Sequence, residues 1–346
     1  MRRFRAAHAG AVLLAAAALG VSSPGSAGEL PYRVLHRISL SGGAPVQALV
    51  FGPGGKRLYA VVGEELRSYD TASGEPGPAV RLPGTGTAVA AAPRDGGILY
   101  VATRAPARLV ILALRPLRAT SSIPLHGGEP SALLYDAQAD ALYLESRAAG
   151  SVARLDPGSG RTLAVAHLRG RLGQMAANGR GMLYVANSAG DELEAIETGK
   201  MRRAGAIPLS GCSAPTGLAM DPVGRRLFVA CGNGEALVVD EDMGFTFVRL
   251  PIERAASLQA VFAFYPLGPG GWKGGAFMAG DGPALDAIRM KAFISYVAGG
   301  SLPLGAHCTA LAVSPATRRL ALALAPRGSG RVELLMLGGT DGEVSQ

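Results

Sequence analysis

Residues 215–252 determine the fold; their sequence is PTGLAMDPVGRRLFVACGNGEALVVDEDMGFTFVRLPI. Four short apolar runs, at residues 217–220, 226–230, 236–239 and 246–250, are separated by the sequences DPVG, GNGE and DEDMG. Asp, Asn and Gly tolerate the positive φ angles and tight hydrogen bonds of chain reversals. The stretch therefore predicts one four-stranded antiparallel sheet.

This unit recurs along the chain. Its second strand aligns at seven places separated by 41 to 49 residues: Leu58-Tyr59, Leu99-Tyr100, Leu142-Tyr143, Leu183-Tyr184, Leu227-Phe228, Ala276-Phe277 and Leu320-Ala321. A period of about 40 to 50 residues with four strands per unit is typical of β-propeller blades, which are stable only when stacked on their neighbours. The sequence therefore predicts seven blades.

The two ends of the repeat indicate how the ring closes. The last unit has only three strands, at residues 309–313, 319–325 and 331–337, whereas residues 33–40 (RVLHRISL) form an additional strand before the first unit. Closing a ring in this way removes exposed sheet edges. We therefore predict an all-β, seven-bladed propeller whose N-terminal strand completes the last blade, as a single domain over residues 28–340 with a polar tail at residues 341–346.

The N-terminus has the pattern of a signal peptide over residues 1–27. Arg2, Arg3 and Arg5 form a basic head, residues 9–21 are apolar, and small residues precede a cleavage site before Gly28. No apolar run reaches the roughly 20 residues that a membrane-spanning helix needs. We expect an exported protein, periplasmic or secreted, without a membrane span.

Charge does not indicate a polyanion partner. Loss of three arginines with residues 1–27 lowers the formal net charge from +8 to +5. The remaining basic residues are scattered over turns without interleaved aromatic residues, so we expect no nucleic-acid binding.

Three segments carry a family resemblance. Residues 46–70 (VQALVFGPGGKRLYAVVGEELRSYD), 179–197 (GRGMLYVANSAGDELEAIE) and 215–240 resemble the YVTN-repeat (YncE-like) β-propeller family. The similarity covers about residues 30–337; the third unit departs with LYLES, and the sixth and seventh units depart further. The resemblance implies an exported protein with a non-catalytic binding or scaffold role.

The first strand of each blade should line the central channel. Counting back six residues from the turn that ends this strand identifies Gln47, Thr87, Ser131, Leu172, Thr216 and Thr309, with Gln259 as the nearest polar residue in the irregular sixth unit. Such hydroxyl and amide groups could bind a small polar ligand or a loop of a partner protein at the channel mouth. Alternatively, they satisfy backbone groups at the strand starts.

Catalytic groups are sparse. Among the mature histidines, only His307 lies beside a channel-facing strand start, and no two histidines have metal-ligand spacing. Trp272 is the single tryptophan, whereas quinone-cofactor propellers rely on many. We therefore predict no catalytic residue, metal or cofactor. The alternative is a lactonase-like hydrolase or lyase at the channel mouth, with His307 or a channel carboxylate as base.

Acidic residues close several third strands. Asp70, Asp156 and Asp240, with Glu197 in the same position, are expected to accept backbone N–H bonds in the following turn. Residues 240–242 are three consecutive acids, which do not match the spaced ligands of a calcium loop. We interpret them as a solvated turn.

Two features remain. In an oxidising compartment, hairpin pairing brings Cys212 towards Cys231, so we predict a disulfide between them and a buried free thiol at Cys308.

The Gly-rich segment 266–275 (PLGPGGWKGG) carries Trp272 and Lys273, which we interpret as a partner-binding loop; alternatively, Trp272 covers the blade edge. We expect a monomer.

Overall fold

The computed structural model describes residues 30, 32–40, 44–221, 223–252, 261–265, 275–280, 282, 284–292, 295–325 and 331–339. The described residues form seven four-stranded antiparallel sheets and contain no helix. Accordingly, none of these residues belongs to a helix that could cross a membrane.

Each of the first three sheets is built from four consecutive strands. Blade 1 contains β2 (Val46–Phe51), β3 (Arg57–Val62), β4 (Glu65–Asp70) and β5 (Pro76–Arg81). Blade 2 contains β6 (Thr85–Ala92), β7 (Ile98–Arg104), β8 (Arg108–Leu114) and β9 (Leu117–Pro124). Blade 3 contains β10 (Ala132–Asp136), β11 (Ala141–Ser146), β12 (Ser151–Leu155) and β13 (Thr162–His167).

The next three sheets repeat the pattern. Blade 4 contains β14 (Leu172–Ala177), β15 (Met182–Asn187), β16 (Glu192–Glu197) and β17 (Arg202–Pro208). Blade 5 contains β18 (Pro215–Asp221), β19 (Arg226–Cys231), β20 (Glu235–Asp240) and β21 (Thr246–Pro251). Blade 6 contains β22 (Val261–Tyr265), β23 (Gly275–Ala279), β24 (Ala284–Ala292) and β25 (Ser295–Pro303).

Blade 7 joins the two ends of the chain. It contains β26 (His307–Ser314), β27 (Arg319–Ala325) and β28 (Glu333–Gly339), and its outer strand is β1 (Tyr32–Ser39), which pairs antiparallel with β28. The first strand of each blade contacts that of the next, and β26 contacts β2, so the seven inner strands form a closed ring. The predicted seven-bladed propeller, closed by its N-terminal strand, is confirmed.

The second strand of each blade lies in the core between two neighbouring blades. In β3, Leu58 and Ala60 pack towards blade 7, whereas Tyr59 and Val61 pack towards blade 2. All four are at most 4% exposed. Because both faces of the strand are covered, its sequence is apolar throughout and does not alternate. Each fully buried Leu side chain contributes about 2 kcal/mol.

Aspartates organise the outer turns as the sequence predicts. Oδ1 of Asp70 accepts the N–H groups of Ala72 (2.8 Å) and Ser73 (3.0 Å), and this bonding lowers the pKa of Asp70. Asp156 likewise accepts from the hydroxyl and N–H of Ser159, which lower its pKa.

The acidic triplet at residues 240–242 differs from the solvated turn expected for it. Asp240 caps its turn and pairs with Arg226 at 2.9 Å, and Glu241 is only 7% exposed. The Glu241 carboxylate accepts a hydrogen bond from Arg180 at 2.7 Å and from the Tyr184 hydroxyl at 3.3 Å, both in blade 4. The interpretation as a solvated turn was therefore wrong for Glu241, which links two blades.

The structure joins Cys212 and Cys231 by a disulfide, 19 residues apart in sequence, at the start of blade 5. Pro215 pairs with Cys231 across β18 and β19, which brings the preceding loop beside the end of β19. Cys308 is a buried free cysteine, and burial raises the pKa of its thiol to about 12, so this thiol is unreactive at neutral pH.

Ring closure predicts that deleting residues 32–39 abolishes cooperative folding. The deletion exposes the hydrogen-bonding edge of β28 and removes Tyr32, which packs with the core of blades 6 and 7. Circular dichroism melts of the full and shortened chains test this, with deletion of residues 341–346 as control. An unchanged cooperative melt of the protein without residues 32–39 would contradict this account of closure.

The disulfide predicts a second stability change. In the chain-entropy description, closing a loop of about 20 residues contributes roughly 3 kcal/mol. Replacing both Cys212 and Cys231 by Ala should lower the free energy of unfolding by about this amount in urea titrations. Cys308→Ala is the control because it removes a buried thiol without removing a cross-link. A double variant no less stable than Cys308→Ala would show that the cross-link does not stabilise the ring.

Candidate functional site

A polar cavity of about 540 Å³ lies at the mouth of the central channel, where the inner strands begin. It brings together five of the polar residues predicted for this position: Gln47, Thr87, Ser131, Thr216 and Thr309. The other residues that line it are Pro45, Val46, Arg147, Arg171, Leu172, Gly173, Gln174 and Ser188. We call this the mouth cavity.

The other predicted site residues are placed differently. His307 begins β26 and is half-buried, but it does not line the mouth cavity. Gln259, Trp272 and Lys273 lie outside the described residues. No group of three potential metal-binding side chains occurs among the described residues.

β-Bulges direct the polar residues into the channel. Gln47, Thr87, Thr216 and Thr309 each lie at a break in the register between the first and second strands of their blade. A bulge inserts one unpaired residue and re-aims its side chain. Because the bulge recurs at the same distance from the turn, counting along the sequence located these residues.

Blade 4 also has a bulge between its first and second strands, but this bulge lies closer to the turn than in blades 1, 2, 5 and 7. Its register breaks between Leu172 and Met175, so Gly173 and Gln174 form the bulge and Leu172 remains paired with Asn187. Leu172 is 3% exposed, and Gln174 is the polar side chain at the mouth. Counting by six selected Leu172 because it assumes the same bulge in every blade.

The hydroxyl groups of the ring also satisfy backbone atoms. Thr87 Oγ1 donates to the carbonyl of Ala102 at 3.3 Å, and Thr309 Oγ1 lies 3.2 Å from the carbonyl of Val46 in the next blade. Gln174 Oε1 accepts the N–H of Leu218 in blade 5 at 2.9 Å. These bonds agree with the alternative that such side chains satisfy the hydrogen-bonding capacity of backbone groups at the strand starts. They also hold the side chains in place, and hydroxyl oxygens that donate retain lone pairs for a ligand.

Arg147 and Arg171 are the charged residues among the described residues that line the mouth cavity. Arg171 is exposed, and among the described residues its guanidinium has no hydrogen bond or ion pair. Arg147 follows β11, and its side chain is 49% exposed. Within the described part of the chain, the lining of the mouth therefore presents positive charge without a carboxylate.

Asn187, at the end of β15, positions the loop that carries Arg171. Its side chain is nearly inaccessible, accepts the N–H of Arg171 at 3.2 Å and donates to the carbonyl of Arg169 at 3.0 Å. Gly170 lies between them at φ +102°, and a Cβ there would lie 2.2 Å from Asn187 Oδ1. Only glycine fits this close approach, so the loop is held tightly.

Glu145 is a buried carboxylate beneath the mouth cavity that sequence reasoning missed. Its side chain is 0% exposed, and Oε2 accepts from the Ser131 hydroxyl at 3.1 Å and from Arg147 Nε at 3.2 Å. Oε1 has no hydrogen-bond partner within the described part of the protein. Burial raises the pKa of Glu145 against the opposing effects of Arg147 and Ser131.

The sequence contained a signal for this residue. Glu145 lies in LYLES, the departure noted in the third unit, where the other second strands carry Val61, Ala102 or Ala186. A carboxylate in a strand that is covered on both faces is costly unless it is paired. The departure therefore indicated a residue that needs partners of its own. Aligning the repeat units showed only that the third unit is irregular.

A second cavity of about 590 Å³ lies between the edges of blades 3 and 4. It is lined by His167, Arg169, Gly170, Asn187, Ala189, Gly190, Glu192, Glu194 and Arg203. Buried Glu194 pairs with Arg203 at 2.5 Å. The second cavity thus carries charges of both signs, unlike the mouth cavity.

The raised pKa of Glu145 predicts a pH-dependent stability difference. A carboxyl group whose pKa is higher in the folded state stabilises the fold at acid pH, and this stabilisation is lost as pH rises through the folded-state pKa. Glu145→Gln replaces the carboxyl group by a neutral amide, so the variant does not lose this stabilisation as pH rises. Chemical denaturation should therefore show the variant gaining stability relative to the wild type as pH rises from about 5 to 8.

Glu197→Gln is the matched control with the opposite sign. Arg202 donates to Glu197 at 2.9 Å and lowers its pKa, so its contribution is present at neutral pH and lost as pH falls through that pKa. The control should lose stability relative to the wild type as pH rises. A Glu145→Gln difference that is flat with pH would contradict the assignment.

No protein-family model matches the chain, and a search of curated proteins finds no significant match.

Proposed function

We propose that this protein is an exported, non-catalytic β-propeller that binds a small polar ligand in the mouth cavity. The observation that carries the proposal is the convergence of side chains from the β-bulges of blades 1, 2, 5 and 7 on one cavity of about 540 Å³. Cavities of roughly 300 to 1,000 Å³ are typical of small-molecule sites.

Pre-organisation supports ligand binding. The Thr87 and Thr309 hydroxyls and the Gln174 amide are held by hydrogen bonds to backbone groups, two of which join neighbouring blades. A ligand that enters such a site meets groups whose rotamers are already restricted, so less conformational entropy is lost on binding. A protein partner could reach the same groups only by inserting a loop into the concave mouth, so a small molecule fits better.

Two further parts of the proposal concern export and family. The basic-then-apolar pattern of residues 1–27 and the cross-link between Cys212 and Cys231 both support an oxidising, extracytoplasmic location. The repeated second strands, such as Leu183–Ala186 of LYVAN, support a relationship to YVTN-repeat propellers. Under this proposal the mature protein begins at Gly28 and is a single ring with a polar tail.

A hydrolase or lyase is the second candidate, and Glu145 favours it. A carboxyl group with a raised pKa beside the Ser131 hydroxyl has the chemistry of a general acid or base. However, Glu145 is fully covered and does not line the mouth cavity. A substrate would therefore meet Arg147 and Ser131 before it met the carboxylate, which makes binding the better-supported function.

Filling the mouth cavity tests the proposal. Gln47→Trp places a large side chain at a bulge that faces the cavity, whereas Lys56→Trp adds the same side chain at an exposed turn between β2 and β3, at the other end of the channel. The mature protein should be screened by thermal shift against sugars, amino acids, di- and tricarboxylates and inorganic phosphate. A ligand at 100 times its Kd stabilises a protein by about 2.7 kcal/mol, which is readily detected.

We expect at least one compound to raise the Tm of the wild type and of Lys56→Trp but not that of Gln47→Trp. Stabilisation that persists in Gln47→Trp, or no stabilisation by any compound in the panel, would contradict binding in the mouth cavity. The same compounds should be followed for turnover by nuclear magnetic resonance, because conversion that is lost in Glu145→Gln would favour the enzyme.

A further inference from the structure

We propose that the ligand of the mouth cavity carries an anionic oxygen group, a carboxylate or a phosphate, which Arg147 and Arg171 bind together, and that Glu145 is the internal counter-ion this group displaces from Arg147. This inference rests on the function proposed above and specifies the chemistry of its ligand.

The distribution of charge favours an anion. Among the described residues that line the mouth cavity, the two charged ones are arginines and none is acidic. Arginine binds carboxylate and phosphate through paired N–H groups in a fixed geometry. The amide side chains of Gln47 and Gln174 also line the cavity, and amide N–H groups are donors to oxygen atoms.

Arg171 is held at the mouth, and the described part of the protein provides no partner for its charge. Asn187 fixes the backbone of its loop, and the carbonyl of Arg171 accepts the N–H of Ser188 at 2.9 Å. Its guanidinium makes no ion pair within the described residues. By contrast, buried Glu194 already pairs with Arg203 in the second cavity.

Arg147 is occupied only in part. The bond to Glu145 uses Nε, and no hydrogen bond of its terminal nitrogens occurs among the residues described. An anion at the mouth would bind these terminal nitrogens and weaken the attraction that Arg147 exerts on Glu145. Oε1 of Glu145 already has no partner in the described structure, so this carboxylate has little else to stabilise its charge.

Proton uptake follows from this competition. The anion adds negative charge near Glu145 and draws Arg147 away, and both effects favour the protonated carboxyl group. Affinity should therefore increase as pH falls, because the complex binds more protons than the free protein.

Tyr143 of the same strand packs against blade 4, so by alternation Glu145 also faces blade 4 and the loop of Arg171.

Other groups near β11 must be separated from Glu145. Charged or titratable side chains on the strands packed around β11, or on the loops that lead into them, include Arg104, Arg108, Glu129, Asp136, Asp140, Arg154, His167, Arg169, Arg171, Glu192, Glu194 and Glu197. Because several of these groups lie near β11, a variant at Glu145 is needed to assign the pH dependence to this carboxyl group.

Three probes test the anion requirement by isothermal titration calorimetry at constant ionic strength: succinate, inorganic phosphate and the neutral analogue succinamide. We expect succinate or phosphate to bind and succinamide not to bind. Arg171→Gln and Arg147→Gln should each weaken binding at least about tenfold, the usual loss when one charge-assisted pair is removed. Arg169→Gln is the matched control, because Arg169 is exposed on the same loop but does not line the mouth cavity.

Sulfate is the probe for the pH series because its own charge is constant over the range. Its affinity for the wild type should rise several-fold from about pH 8 to about pH 5.5, whereas Glu145→Gln should bind more tightly at pH 8 and show a flat profile. Succinate binding alone would identify a carboxylate ligand, and phosphate binding alone would identify a phosphate ligand.

Failure of this inference differs from failure of the proposed function. A neutral compound that binds the wild type, is lost in Gln47→Trp and is retained in Arg171→Gln would overturn the anion requirement and leave the cavity as the site. Equal losses in Arg171→Gln and Arg169→Gln would also overturn it. An unchanged pH profile in Glu145→Gln would remove Glu145 as the counter-ion.

Discussion

The second strand of every blade must be covered on both faces, and the rest of the molecule depends on this constraint. Leu58 and Tyr59 are adjacent in β3 but pack against different neighbouring blades, so no blade can bury its own core alone. A row of such sheets leaves an uncovered face at each end unless the row closes. Pairing of β1 with β28 completes the last sheet and joins the two ends of the chain within it.

The same constraint explains why one carboxylate has particular importance. In a strand buried on both sides, a charge is retained only when partners compensate for its desolvation. Glu145 has Ser131 and Arg147, and both belong to the mouth cavity. The exception to the apolar rule therefore lies beneath the polar ring that the bulges create. Glu145 therefore belongs to a buried strand and also contacts two residues of the candidate site.

The fold was predictable because the apolar strands and the turns repeat with a nearly constant period. The same regularity located Gln47, Thr87 and Thr309, since each bulge lies at a fixed distance from its turn. Prediction failed where a residue depends on a partner distant in sequence: Glu241 was interpreted as solvated, although Arg180 and Tyr184, about 60 residues earlier, cover it. Arg171 was also missed, because its place at the mouth depends on Asn187 and on a glycine with positive φ.

Closure between opposite ends of the chain has a consequence for biogenesis. Tyr32 pairs with Gly339, so the partner of the first strand is synthesised about 300 residues later. Throughout translation the emerging polypeptide therefore carries an unsatisfied β-edge and a growing stack with an open apolar end, both of which promote association between chains. An export route that keeps the polypeptide extended until it is released whole would avoid this hazard, and holdase chaperones would serve the same purpose.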